Sequence, residues 1–143
     1  MIVLDTNVVS ELIHRRPADA VLAWLDAQEA DELHLTAVTV AELRYGVARL
    51  PGGARRDALD AAVGSVLDED FDARILPFDR AAADSYAPIV VERERSGRPI
   101  SQADAQIAAI CRARQATLAT RNGRDFERTG VGVVDPWTAS PAR

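Results

Sequence analysis

Short apolar runs alternate with segments of helical periodicity along this chain. The first run, Ile2 to Leu4, precedes a segment in which Val9, Leu12 and Ile13 recur at the spacing of a helix. A strand that is covered on both faces reads as a continuous apolar run, so the alternation favours a parallel sheet between helices. The sequence therefore predicts an α/β fold of three layers, α/β/α, with a short parallel sheet.

The pattern predicts five strands and six helices in one domain. The strands are expected at residues 2–4, 33–35, 74–76, 117–119 and 131–134. The helices are expected after Asp5, from Pro17, from a Thr39 cap to residue 49, around the apolar positions 59–67, over 80–94, and after a Ser101 cap. Pro88 lies inside the fifth helix and predicts a kink or a shifted start there. The domain is expected to cover residues 1–143, with a frayed tail over 138–143.

The composition excludes several classes of protein. All 17 basic residues are arginines, which excludes P-loop and Schiff-base chemistry that depends on lysine. Cys111 is the single cysteine, so the chain has no internal disulfide. No apolar run approaches the roughly 20 residues of a membrane span, and the first run is too short for a signal peptide. A reducing cytosol is the expected location, and the net charge of −5 argues against a general nucleic-acid binder.

Acidic and polar side chains follow the apolar runs or open the helices. Asp5 ends the first strand, Asn122 and Asp125 follow the fourth, and Glu42 and Asp104 lie near the starts of two predicted helices. The carboxyl ends of parallel strands meet at one edge of a sheet, where open α/β sheets bind ligands. Carboxylates gathered there raise each other's pKa by repulsion, a conflict that a divalent cation removes. The pattern therefore predicts a metal-binding cage.

Each acid also has a local structural explanation. Asp5 is suited to capping the helix that follows it. Thr39 with Glu42, and Ser101 with Asp104, have the spacing of a capping box, in which the acid bonds back to the N–H of the cap residue. On local grounds, capping explains Glu42 about as well as catalysis does.

Asp104 has an additional signal in its helical position, whereas the segment after the fourth strand also has a plain structural explanation. Asp104 shares a helical stripe with Ile107 and Cys111, which predicts that it points inward, where an unpaired charge is costly. Asn122 and the glycine after it also fit a plain turn, and Asp125 fits a helix start. A turn and a functional site are therefore both open for this segment.

Four motifs in register resemble those of PIN-domain ribonucleases, and especially the VapC-type toxins of the FitB-like branch. The matching segments are residues 1–7, 39–43, 103–109 and 118–126, with further likeness over 46–51 and 133–137. The resemblance covers nearly the whole chain. It implies an α/β/α sandwich and a Mg²⁺ or Mn²⁺ ion held by Asp5, Glu42 and Asp104.

The resemblance also assigns roles to residues around the ion. Thr6, Asn7 and Thr120 match polar residues that orient the carboxylates or the attacking water. Several relatives have aspartate where this chain has Asn122, so the resemblance leaves Asn122 and Asp125 as alternatives for the fourth position.

The implied function is hydrolysis of RNA phosphodiester bonds by a metal-dependent endoribonuclease. Arg121 and other arginines near the predicted edge suit contacts with phosphates, whereas aromatic residues such as Tyr45 mostly fit core positions. Toxins of this kind form homodimers and are inhibited by a cognate VapB/FitA-like antitoxin, a segment of which enters the acidic groove. The alternative is a PIN-fold binding or regulatory module in which Asn122 marks the loss of catalysis.

Overall fold

The computed structural model describes residues 1–140 of the 143-residue chain. Within those residues, five strands and six α-helices alternate, as predicted. The strands are β1 (Ile2–Leu4), β2 (Leu33–Thr36), β3 (Ile75–Leu76), β4 (Thr117–Ala119) and β5 (Val133–Val134). The helices are α1 (Thr6–Ile13), α2 (Asp19–Asp26), α3 (Ala37–Ala48), α4 (Ala54–Ser65), α5 (Arg80–Arg95) and α6 (Gln102–Arg114).

The strands form one parallel sheet in the order β3-β2-β1-β4-β5. In the central strand β1, Val3 pairs with His34 of β2 on one side and with Leu118 of β4 on the other. The chain adds strands from β1 toward β3, and then continues on the other side of β1 with β4 and β5. The strand order therefore reverses between β1 and β4, and the residues that follow these two strands lie at the switch point of the sheet.

Side chains of the central strand alternate between two apolar clusters, one on each face of the sheet. Leu4 belongs to the cluster formed with α1 to α4, whereas Val3 belongs to the cluster formed with α5 and α6. Both side chains are fully buried, and burial of an aliphatic side chain of this size contributes roughly 1.5–3 kcal/mol. The two clusters confirm the predicted three-layer α/β/α architecture.

α3 begins earlier than predicted. Thr36, the last residue of β2, caps the helix, because its hydroxyl oxygen accepts a hydrogen bond from the Thr39 backbone N–H at 3.1 Å. Thr39 lies inside α3 and is fully buried. The predicted capping box of Thr39 and Glu42 is therefore wrong, since a capping hydroxyl is already available at the end of the strand.

α5 is a single helix that contains Pro88. Asp79 caps it by accepting a hydrogen bond from the Ala82 backbone N–H at 3.0 Å, so the predicted alternative of a shifted start is wrong. Pro88 lies on the exposed side of α5, where water can reach the Asp84 carbonyl that proline leaves without a helical donor.

The chain after β5 packs back against the domain. Trp137 and Ala139 contact the cluster between the sheet and α1 to α4. The backbone N–H groups of Thr138 and Ala139 donate to the Asp135 carbonyl. The rest of the predicted tail includes residues 141–143, which lie outside the described residues. Across residues 1–140, no helix has both the length and the apolarity to cross a membrane.

Candidate active site at the carboxyl edge of the sheet

Asp5 follows β1 and lies at the switch point of the sheet. It is 6% exposed, and its carboxylate accepts hydrogen bonds from the Thr6 backbone N–H at 2.8 Å and from the Thr120 hydroxyl at 2.7 Å. Burial raises the pKa of Asp5, and the bonds from Thr120 and Thr6 oppose that rise. Asp5 therefore caps α1 and, at the same time, presents a carboxylate in one defined orientation.

Thr6 connects this carboxylate to Glu42 of α3. Its backbone N–H donates to Asp5, while its hydroxyl donates to Glu42 Oε1 at 2.9 Å. Glu42 is exposed and turns toward α1 rather than toward the start of its own helix. The structure thus brings Glu42 to the edge where Asp5 lies, which local sequence reasoning left undecided.

Thr120, which follows β4, is the centre of a second group of hydrogen bonds. Its hydroxyl donates to Asp5 Oδ2 and accepts from the Asn7 side-chain nitrogen and the Asn122 backbone nitrogen, each at 3.1 Å. The Asn7 side-chain oxygen accepts from the Arg121 backbone N–H at 3.2 Å. Because a hydroxyl has a single proton, the two donors direct the Thr120 proton toward Asp5.

Asp104 lies half-buried in the first turn of α6. Ser101 caps this helix, as predicted, because its hydroxyl oxygen accepts from the Asp104 backbone N–H at 3.2 Å. Burial raises the pKa of the Asp104 carboxyl from 3.8 to about 6, and the negative charges of Asp5, Asp125 and Glu42 add to the rise. Four carboxylates from distant parts of the chain therefore interact at one place.

In the segment after β4, Asp125 is the residue whose negative charge acts on the other carboxylates of the site. It lies exposed on the short helical turn Gly123–Phe126, and its charge raises the pKa of both Asp5 and Asp104. Asn122 is exposed, and its bond to Thr120 comes from the backbone N–H.

The negative charge of these acids is not balanced by ion pairs among residues 1–140. The six ion pairs found there involve other acids, such as Asp60 with Arg44 and Glu127 with Arg98. In the same part of the chain, no three Asp, Glu, His or Cys side chains are already arranged to hold a metal ion. Carboxylates without a cation between them repel one another, and here those of Asp5 and Glu42 accept hydrogen bonds from hydroxyl and N–H groups. The groups that could bind a metal ion are nevertheless all negatively charged carboxylates, which fits a hard divalent ion such as Mg²⁺ or Mn²⁺.

Two aromatic side chains lie beside this site. The guanidinium carbon of Arg121 lies 4.9 Å from the ring centre of Trp137, which is a cation–π contact. Tyr45 lines a surface depression together with Glu42 and is 66% exposed, so its predicted core position is wrong.

Sequence reasoning missed one functional candidate, Arg93. It lies among glutamates and arginines near the end of α5, a stretch that reads as a solvent-exposed face. In the structure it is 5% exposed, and its guanidinium donates to backbone carbonyls of the segment that carries Asp125. No local signal distinguishes it from its charged neighbours.

The parallel sheet and the acidic edge together define a PIN-like class of α/β/α domain. Residues 2–132 match the family model described as PIN domain. VapC ribonuclease Y4jK from Sinorhizobium fredii is 44% identical over 137 residues, which cover 96% of this chain and 98% of that protein. Toxin FitB from Neisseria gonorrhoeae is 41% identical over 137 residues, which cover 96% of this chain and 99% of that toxin. This chain belongs to the PIN domain family.

A solved structure shows the same fold. The structure of FitAB bound to an IR36 DNA fragment matches with a TM-score of 0.90 at 39% identity, and the match covers 98% of each chain. The resemblance to the VapC and FitB proteins that was inferred from the sequence motifs is thereby confirmed.

Proposed function

We propose that this chain is a divalent-metal-dependent endoribonuclease that acts as the toxin of a toxin–antitoxin pair. The observation that carries the proposal is the convergence of Asp5, Glu42 and Asp125 on Asp104, whose pKa is raised to about 6 by burial first and by the negative charges of these acids in addition. Such a concentration of carboxylates has little structural use, because like charges oppose folding. The names of the relatives, a ribonuclease and a toxin, support the same class of activity.

We propose that Asp5, Glu42 and Asp104 hold Mg²⁺ or Mn²⁺ and that Asp125 supplies the fourth acidic group. Mg²⁺ prefers oxygen ligands and retains several waters, so a few carboxylates together with a substrate phosphate suit it. When bound, the ion would make a water molecule more acidic and would stabilise the charge that develops on the phosphate.

The chain's own residues prepare the site for this reaction. Thr6 and Thr120 hold Asp5 in one orientation, and Thr6 also holds Glu42. Hydrolysis joins a water oxygen to phosphorus and breaks the bond between phosphorus and the 3′ oxygen. The 3′ oxygen takes up a proton, which leaves a 3′-hydroxyl on one product and a 5′-phosphate on the other.

Arg121 is our candidate for contact with the substrate backbone. It is exposed, its backbone bonds to Asn7, and its guanidinium lies over Trp137. A guanidinium held in this way loses less conformational freedom when it binds a phosphate. Binding of RNA is expected to weaken as salt concentration rises.

The antitoxin is proposed to occupy an apolar groove that adjoins the acids. A cavity of about 310 Å³ lies between α1, α3 and α4, and Thr6 and Glu42 line it. The rest of its wall includes the apolar residues Ile13, Leu43, Leu59 and Val63. An inhibitory segment with an apolar face and one basic side chain would fit both parts of this surface. We further propose that the toxin is a homodimer.

The nuclease proposal is tested by comparing the chain with its Asp5→Asn variant. Asparagine caps helices as well as aspartate does, so the substitution removes the charge and retains the cap of α1. With Mg²⁺ or Mn²⁺, the unaltered chain is expected to cleave structured RNA at least about a hundredfold faster than the variant. Chelation of the metal is expected to stop the reaction.

The same experiment examines the alternative of a binding or regulatory module. The exposed Asn122, a neutral side chain where the family resemblance implies an acid, is the observation that favours this alternative. If the unaltered chain and Asp5→Asn cleave alike, or if neither cleaves with either metal, the nuclease proposal is wrong.

A further inference from the structure

We infer that Arg93 is a positioning residue for the proposed active site, because it holds the segment that carries Asp125 in place. Arg93 lies on α5 and is 5% exposed. Its Nε donates to the Arg98 carbonyl at 2.6 Å, and its Nη1 donates to the carbonyls of Asp125 at 2.5 Å and Glu127 at 3.1 Å. Among residues 1–140, no carboxylate forms an ion pair with it.

The hydrogen bonds from Arg93 supply donors to backbone carbonyls in the segment after β4. Residues 122–127 form a short helical turn and its exit, so their carbonyls lack the regular partners of a strand or a long helix. Buried carbonyls need donors. The carbonyls of Asp125 and Glu127 are partly buried, and both are satisfied by the same guanidinium nitrogen. The planar fork of arginine can serve carbonyls on two segments at once, whereas a lysine ammonium lacks that geometry.

The hydrogen bonds of Arg93 bear on the position of Asp125, an acid of the site. The carbonyl that it holds belongs to Asp125, whose side chain acts electrostatically on both Asp5 and Asp104. Phe126, which is 2% exposed, anchors the same turn in the cluster beside α5 and α6. Movement of this turn would therefore move the Asp125 carboxylate relative to the other acids.

A stabilising role alone does not account for a buried guanidinium. Apolar side chains of similar volume often replace buried charges without loss of stability, because desolvation of the charge offsets its interactions. Here the charge is surrounded by carbonyls of Arg98, Asp125 and Glu127 rather than by an acid. Its benefit is the fixed conformation of the two segments that it joins.

The test uses Arg93→Met, which retains an unbranched apolar stem and removes the donors, and Arg93→Lys, which retains the charge. The dissociation constant for Mn²⁺ is measured by calorimetry without RNA, and the rate of RNA cleavage is measured separately. Both variants are expected to bind Mn²⁺ about tenfold more weakly than the unaltered chain, in the range seen when residues that support metal ligands are changed. In an Asp125→Asn background, the change at Arg93 is expected to cause no further loss, because the group that it positions is gone.

Arg98→Gln is the matched control. It breaks the exposed ion pair between Arg98 and Glu127 on the same segment and leaves the Arg98 carbonyl in place. Its Mn²⁺ affinity is expected to stay within about twofold of the unaltered chain, since exposed ion pairs contribute little.

The inference rests on the proposed function, but different experimental results would contradict each of them. If the unaltered chain binds Mn²⁺ but cleaves no RNA, the nuclease proposal fails while the Mn²⁺ titrations still decide the role of Arg93. Losses that multiply in the double variant, or Arg93 variants that are folded and bind Mn²⁺ normally, would overturn the inference. If Arg93→Met does not fold, the comparison is made with Arg93→Lys, and a chain that binds no Mn²⁺ overturns both ideas.

Discussion

Hydroxyl groups allow the acids of this site to lie close together without a basic partner. The Thr6 hydroxyl donates to Glu42, and the Thr120 hydroxyl donates to Asp5. Each bond uses one lone pair of a carboxylate oxygen and leaves other lone pairs available. A lysine or arginine in the same place would neutralise the acids and compete with a bound cation. At Asp104, burial and the negative charges of the neighbouring acids outweigh stabilising hydrogen bonding, so the pKa of its carboxyl rises to about 6.

Asp104→Asn is therefore expected to stabilise the metal-free protein. The pKa of Asp104 is about 6 in the folded chain and near 3.8 otherwise, so the folded state is penalised wherever the group is charged. That penalty is complete above about pH 6, shrinks as the pH falls, and is absent below pH 3.8. At pH 8 the variant is expected to gain about 1 kcal/mol in unfolding free energy, a figure reduced for the partial exposure of the group.

Urea unfolding with a chelator present, at pH 8 and again near pH 4, measures this difference. The gain should disappear at the lower pH. Asp68→Asn, which removes an exposed acid outside the group, serves as the control and should change stability little at either pH. A variant that is less stable than the unaltered chain at pH 8 would show instead that the Asp104 carboxylate has a structural role.

The junctions between strands and helices place the functional side chains. β1 passes into α1 through Asp5, and β2 passes into α3 through Thr36, without a loop in either case. In α3 the early start places Glu42 in the second turn, on the side that meets Thr6. The cap at Thr36 thus starts α3 directly at the end of β2, without an intervening loop.

Thr36→Val tests this junction. Valine has the shape of threonine but lacks the hydroxyl, so the Thr39 backbone N–H would lose its acceptor. A loss of about 1 kcal/mol in unfolding free energy is expected, as for other removed helix caps. Thr36→Ser retains the oxygen and should lose markedly less in the same urea unfolding measurement. Equal losses in the two variants would contradict the capping role.

Periodicity identified the six α-helices and five strands of residues 1–140, but the cap of α3 and the role of Arg93 could not be read from it. Thr36 and Thr39 both precede helical residues and both carry a capping hydroxyl, so local chemistry allowed either start. Arg93 has charged neighbours on both sides, and only the packing of α5 against the turn after β4 shows that it is buried. Ser101, in contrast, was predicted correctly because the glycine and proline of residues 97–99 interrupt the helical pattern and leave Ser101 as the nearest capping residue.

The sheet and its two helical layers enclose the single cysteine. Cys111 of α6 is fully buried, and burial raises the pKa of its thiol to about 12. A thiol reagent can therefore reach it only when the domain opens. Labelling in native buffer is expected to be slower than in urea by a factor on the order of a thousand.

The same labelling reports on metal binding by the whole domain. Mn²⁺ should slow the reaction of Cys111 further in the unaltered chain, because an ion that binds the folded state makes opening rarer. It should have little effect in Asp5→Asn. Native labelling as fast as labelling in urea would contradict the burial of Cys111, and equal slowing in both chains would contradict the proposed metal site.

The sequence by itself determined the alternation of strands and helices, the parallel sheet and the place of Asp5, because these depend on the spacing of neighbouring residues. Only the tertiary structure decided which distant groups meet. The Thr6–Glu42 bond joins residues 36 positions apart, and the bond from Arg93 to the Asp125 carbonyl joins residues 32 positions apart. Such pairings follow from the order of the strands and the packing of helices on them, and no local pattern in the chain encodes them.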